Sequence, residues 1–247
     1  DQNSKPLILG RSKEDEPRAQ VMRRIYDFTW DVADGDNQAY DVKKDTLILG
    51  TAIGQEYYRQ DLRRVKDIRV IKGKEKEIEE LVYGYDDCMM ENVRLWDFFI
   101  DENARGFDGP YAARDCIRRY IMDIEDFKLY FQGENDPLGN AKYVKPGGDI
   151  NYYEFYKPPT GIDTSKQVEV LWYWSKSPED WLIIVANDVM VKYGPNPYKH
   201  KELPFGRSID VKRPHSFYGK GEPELLESIN DEMNTLRRMI LDRNYLD

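Results

Sequence analysis

Tyr193-Gly194-Pro195-Asn196-Pro197-Tyr198-Lys199-His200-Lys201-Glu202-Leu203-Pro204-Phe205, then Phe217-Tyr218-Gly219-Lys220-Gly221, then a helical pattern unbroken to Asp247, is the stretch that orients the rest of the chain. It reads as a hairpin strand, a proline-punctuated crossing, a short strand, a glycine-flanked lead and a long helix. Pro223 falls in the first helical turn, where its missing N–H costs nothing, between Glu222 and Glu224, acids that suit the positive end of the helix dipole. Leu226, Ile229, Met233, Leu236 and Ile240 recur at steps of three and four and make one apolar seam. Glu227, Asp231, Asn234, Arg238 and Asp242 take the polar side, with Arg237 beside them. At ~1.5 Å per residue the helix from Glu222 to Asp247 spans about 39 Å, more than a small core covers. Its seam is therefore expected to pack against something outside this chain.

The 247 residues, 40% hydrophobic and 13% aromatic despite 34% charged, describe a folded domain with a real core, and one domain is expected. No apolar run approaches the roughly 20 residues that cross a bilayer, and the first residues lack a signal-peptide pattern, so the protein is expected to be soluble with no membrane partner. Cys88 and Cys116 are too few for a disulfide framework, which points to a reducing compartment such as a bacterial cytoplasm. Without an initial Met, and with a helical pattern still running at its last residue, the chain reads as a fragment of something longer. A net charge of −9 argues against a protein that grips nucleic acid, because such surfaces gain affinity when Lys and Arg displace counterions from phosphates. A channel wall that must let DNA slide is better served by weak or repulsive contact than by phosphate clamps, so acidity fits a conduit as well as a non-binder.

Working toward the N-terminus, the pattern predicts an α+β fold. Pro17 opens a first helix with Val21, Ile25, Phe28 and Val32 at helical spacing, Asp34-Gly35-Asp36-Asn37 breaks it, and a second helix carries Val42, Thr46, Leu49 and Ile53. These form a helical hairpin. Glu56–Arg59 begins a strand running toward Asp67, Ile68–Ile71 is another, Lys72-Gly73-Lys74-Glu75-Lys76 is a solvated turn, and Ile78–Tyr83 and Val93–Ile100 supply further strands. Ala112–Met122 is predicted as a strand, with Asp123 as N-cap of a short helix through Phe127 and Phe131. Gly133–Asp149, rich in Gly and poor in large apolar residues, is expected to be a mobile loop or junction. Tyr152–Tyr156, Val168–Ser175, Trp181–Ala186 and Val189–Tyr193 read as an antiparallel meander with a turn at Asn187-Asp188.

Catalytic chemistry is hard to find. His200 and His215 sit in turn-like sequence without neighbouring carboxylates, and Asp86-Asp87-Cys88 reads as a turn rather than a ligand set. Gly219-Lys220-Gly221 lacks the spacing and the Gly-Lys-Ser/Thr of a phosphate loop, and Glu222 and Glu224 would repel a phosphate. No catalytic residue, cofactor or metal site is expected. Alternation along Leu171-Trp172-Tyr173-Trp174 places the two tryptophans on one face, as in a covered sheet. Two other functions stay open: a carbohydrate- or peptide-binding module using Trp172 to Trp181 as an exposed platform, and a hydrolase built on an acid pair such as Asp86 and Asp97.

The order of parts from Pro197 to Gly221 into a long helix with Asn234 and Arg237 resembles the portal proteins of tailed bacteriophages. Asp41–Gly54, ending Gly50-Thr51-Ala52-Ile53-Gly54, is similar to the family's helix that closes on Gly-Thr-Gly-Ile-Gly before the first wing strand, with Ala52 for the middle Gly. Leu95-Trp96-Asp97-Phe98-Phe99-Ile100-Asp101 resembles a Pro-Tyr-Asp-Phe-Tyr-Val-Asp-Pro wing strand, with Leu95-Trp96 for Pro-Tyr and Glu102 for the last Pro. The resemblance implies a wing domain over 1–221, comprising a helical hairpin at about 17–53, a β-rich part at about 54–213 and a mobile loop at about 133–149. The start of a stem helix follows over 222–247, truncated before the clip. It implies a homo-oligomeric ring of twelve at a capsid vertex in the virion, assembled in the bacterial host cytoplasm. Its partners would be the major capsid or scaffolding protein, the terminase, a neck or tail adaptor, and double-stranded DNA passing through without specific binding. Glu227, Asp231, Asn234, Arg237, Arg238 and Asp242 would then face the channel or the neighbouring subunit, and Leu226, Ile229, Met233, Leu236 and Ile240 would pack inward.

Overall fold

The computed structural model describes residues 8–71, 74–147, 164–176 and 180–246, an α+β chain of four helices and two antiparallel sheets. Helix α1 (Glu16–Val32) starts with Pro17 in its first turn. It buries Ala19 and Trp30, while Val21, Ile25, Phe28 and Val32 stay exposed on a face of their own. The Trp30 indole N–H donates to Asp36 Oδ1 at 3.1 Å, tying α1 to α2 (Gly35–Leu49). Gly50 ends α2 in the left-handed region at φ 78°, which glycine adopts without strain. The helix therefore stops short of Ile53, predicted on its apolar face, and Ile53 becomes a fully buried residue of strand β1.

The next segments depart most from expectation. Instead of several short strands, β1 (Thr51–Ile71) and β2 (Lys74–Val93) form one long ribbon, paired from Ile53↔Val93 to Ile71↔Lys74. One extra residue, Gly84, is accommodated where Asp61↔Tyr85 gives way to Leu62↔Tyr83. Lys74-Glu75-Lys76, expected in a turn, belongs to β2, as does Asp86-Asp87-Cys88; Lys72 and Gly73 lie outside the described residues. Strand β8 (Phe205–Ile209) adds to β1 only over Thr51–Gln55, giving a sheet in the order β2-β1-β8.

Val93–Ile100 is not one strand. A 3-10 turn over Leu95–Asp97 separates β2 from the short β3 (Phe98–Ile100). The second sheet is a meander of β3, β4 (Asp115–Asp123), β5 (Gln167–Ser175), β6 (Trp181–Ala186) and β7 (Val189–Pro195), each antiparallel to its neighbour. Asp123 caps α3 (Ile124–Tyr130) by accepting from the Glu125 N–H at 2.9 Å, as its position predicts. Asn187 turns the β6–β7 hairpin at φ 47°. The predicted strand Tyr152–Tyr156 lies outside the described residues.

Through 147, the segment expected as a loop or junction is tied to the body. Ala141 and Val144 enter the core, the Asn140 side chain donates to Met190 O at 2.9 Å, and Asn187 donates to Lys145 O at 2.7 Å. The core lies between the sheets and α3, centred on Phe98, Phe127, Val168, Val170, Trp174, Leu182 and Ile184. Phe98, Phe205 and Phe217 of that same core, with Phe107 packed on it, make edge and stacked ring contacts where the two sheets meet the lead into helix α4 (Glu222–Leu246). No helix among the described residues is long and apolar enough to cross a membrane.

Candidate functional site

Helix α4 is set by glycine. A Cβ on Gly219 would lie 2.4 Å from Gly50 O, one on Gly221 2.4 Å from Ile48 O, and one on Gly50 2.4 Å from Lys220 C. The lead into α4 thus runs backbone against backbone across the C-terminal end of α2, an approach that only residues without a side chain permit. The Gly219 N–H donates to Thr51 Oγ1 at 2.7 Å, and Val211 and Lys220 exchange backbone hydrogen bonds. Buried Phe217 anchors the lead in the core beside Phe107, with the Arg207 guanidinium over its ring at 4.5 Å. Arg213 and Lys220 pair with Glu224 in the first helical turn.

Past that root every residue of α4 with a described side chain is exposed. The predicted seam runs from 45% exposure at Leu226 to 63% at Met233, with Ile229, Leu236 and Ile240 between, and it meets no partner among the described residues. At about 100° per residue, Glu227, Asp231, Asn234, Arg238 and Asp242 fall on the side roughly opposite, and Arg237 lies between the two faces. All six are exposed. The helix thus presents an open apolar face and an open charged face.

A second feature lies where the foot of the ribbon meets the five-stranded sheet. Arg118 on β4, 4% exposed, donates to Glu91 Oε1 on β2 at 2.7 Å and to Gln55 Oε1 on β1, and its guanidinium stands 4.1 Å from the Tyr120 ring centroid. Tyr120 OH donates to Gln55 at 3.1 Å and Tyr57 OH to Glu91 at 3.0 Å. Burial pushes both phenols well above their ordinary pKa, and the Glu91 charge adds to the shift at Tyr57. This polar clamp joins the sheets through residues that sequence reading did not single out.

Beside the clamp opens a cleft of about 660 Å³ lined by Tyr57, Tyr120, Tyr130, Trp172, Trp174 and Tyr198. Trp172 and Trp174 share a face, as alternation predicts, and their buried indole N–H groups find no acceptor among the described residues. Trp174 is 2% exposed, and Trp181 stacks on Tyr193 with centroids 4.5 Å apart. The surface is a recessed aromatic pocket rather than a flat platform.

The remaining candidates do not converge. Asp97 is paired with Arg119 at 2.7 Å. Asp86 accepts from Tyr58 and Gln60, seven residues up the ribbon from Val93, which is roughly 24 Å. His200 stacks on Tyr198 and accepts from the Glu202 N–H, and His215 occupies a positive-φ position. Among the described residues no group of three or more His, Cys, Asp or Glu is placed to hold a metal. Neither the protein-family models nor the curated proteins contain a match to this sequence.

Proposed function

We propose that this chain is a structural subunit of a tailed-phage portal ring, its two sheets and helical hairpin forming the wing and α4 starting the stem. The observation that carries the reading is α4: rooted at Gly219–Gly221 in backbone contacts and exposed thereafter, with an apolar seam of five residues facing no partner among the described residues. Exposed apolar surface of that extent belongs in an interface, and a seam at steps of three and four suits a helical neighbour. In a ring, Leu226, Ile229, Met233, Leu236 and Ile240 pack on adjoining helices, while Glu227, Asp231, Asn234, Arg238 and Asp242 face the channel or the next subunit. The ring passes double-stranded DNA by confinement, with capsid or scaffolding protein, terminase and a neck or tail adaptor as its partners in the virion.

Negative-stain electron microscopy of the full-length protein, in which a clip would follow this chain's wing and upper stem, tests this. The expected result is closed rings of about a dozen copies around an axial channel, the symmetry that heterologous contacts generate when they close. A uniform monomer or a two-fold dimer of the full-length protein would refute it, as would a tight, discrete dimer of this chain alone.

A second reading is favoured by one observation, the pair of indole donors in the aromatic cleft that meet no acceptor among the described residues. There the chain is a binding module for a carbohydrate or peptide that supplies acceptors to Trp172 and Trp174. Titrating tryptophan emission with oligosaccharides and proline-rich peptides separates the readings: saturable quenching lost in Trp172→Phe favours the module, and a flat response disposes of it.

A further inference from the structure

The β1–β2 ribbon presents a problem of its own. Beyond Gln55, β1 has no strand on its outer edge among the described residues, and neither has β2 along its length. From Leu62↔Tyr83 to Ile71↔Lys74 the ribbon continues as a two-stranded arm of ten residues a side, roughly 34 Å at ~3.4 Å per residue. Two strands alone are marginal in water, and long unpaired edges are templates for another strand. Val65 and Val82, 46% and 48% exposed, leave apolar side chains on the arm open to solvent.

The two edges differ in charge. Tyr57–Ile71 on β1 carries five basic residues and two acidic, a formal +3. The stretch paired with it, Lys74–Met89 on β2, carries two basic and six acidic, a formal −4. Two arms meeting through the same edge would set like charge beside like, whereas β1 of one copy beside β2 of the next sets +3 beside −4. Opposite charges across neighbouring strands stabilise pairing and like charges oppose it. Arms pointing the same way also bring an outgoing strand beside a returning one, the antiparallel arrangement.

We propose that the arms of adjacent copies pair edge to edge, β1 of one with β2 of the next, so that the assembly carries a continuous antiparallel sheet. This deepens the ring reading and rests on it, because a head-to-tail contact repeats from copy to copy until the circle closes. The occupant of each free edge is a second copy of this chain.

Charge reversal tests it. In one variant Arg63→Glu, Arg64→Glu and Lys66→Glu make both edges acidic; in another Glu77→Lys, Glu79→Lys and Glu80→Lys make both basic. In the full-length protein each alone is expected to lose self-association by roughly tenfold or more in sedimentation velocity, and an equimolar mixture to regain it. Assembly of either variant at the wild-type level, or a mixture that stays apart, overturns the proposal. A chain carrying all six changes restores opposite charge within its own arm, which guards against simple misfolding. Mixed with wild type under separate fluorescent labels, it is expected to sort into its own assemblies, and random co-assembly would refute edge pairing. Rings indifferent to every reversal leave the portal reading standing and sink the arm contact. Charge-dependent association that never closes into rings does the opposite.

Discussion

Arg118 binds the two sheets through a charge taken almost wholly out of water, held by Glu91, Gln55 and the face of Tyr120. Removing one partner of such a cluster strands the others, so Arg118→Ala is expected to cost about 2–4 kcal/mol, read from urea unfolding. A loss under about 0.5 kcal/mol would mean the clamp is ornamental. Tyr57 and Tyr120 add a pH dependence. Their folded pKa values lie above the ordinary 10.0, so their contribution is intact below pH 10 and is lost as the pH rises past it, where the unfolded phenols ionise. The urea midpoint is expected to fall above pH 10, and Tyr120→Phe to start lower at neutral pH but decline less steeply. None of this cluster was legible in the sequence, because Arg118 is 63 positions from Gln55 and 27 from Glu91, and no local pattern announces a partner at that range.

Among elements, α4 was the most legible, since Pro223, the flanking acids and the three-and-four spacing all act within a few turns. The ribbon was the least. A two-stranded arm between two solvated faces gives no alternation to read, and Gly84, which resembles a break, is the extra residue at a shift in register. Gly219 and Gly221 were visible as punctuation, but their task of close approach to α2 depends on a segment some 170 residues earlier in the chain. Gly221→Ala is expected to cost about 1–3 kcal/mol in thermal or urea unfolding, since its Cβ would meet backbone. Gly54→Ala, which meets nothing within 4 Å, serves as the near-neutral control. Arg238→Glu on the exposed face of α4 is expected to leave the unfolding midpoint nearly unchanged while reducing the yield of the proposed ring from the full-length protein. Unfolding of the chain by that change would show Arg238 to be a buried partner and overturn the assignment of faces.

For the whole molecule, the balance of charge sets the relation to DNA. With a net −9, binding to double-stranded DNA is expected to be undetectable by fluorescence anisotropy at physiological salt. Sub-micromolar affinity falling steeply with salt would reveal a concentrated basic face and contradict passage by confinement. The helical hairpin, the antiparallel meander and the final helix were legible because each is specified by short-range periodicity and caps. The pairing of β8 with β1, which brings residues 51–55 against 205–209, was not. That pairing, with the glycine contacts beside it, sets the root of α4 in main chain rather than in pliable side chains. Main chain packed on main chain has little give, so α4 behaves as a lever with a stiff fulcrum. A sideways force on its far end is expected to reach α2 and the foot of the ribbon, and through that foot the arm that begins at Leu62, about ten residues along β1 from Thr51.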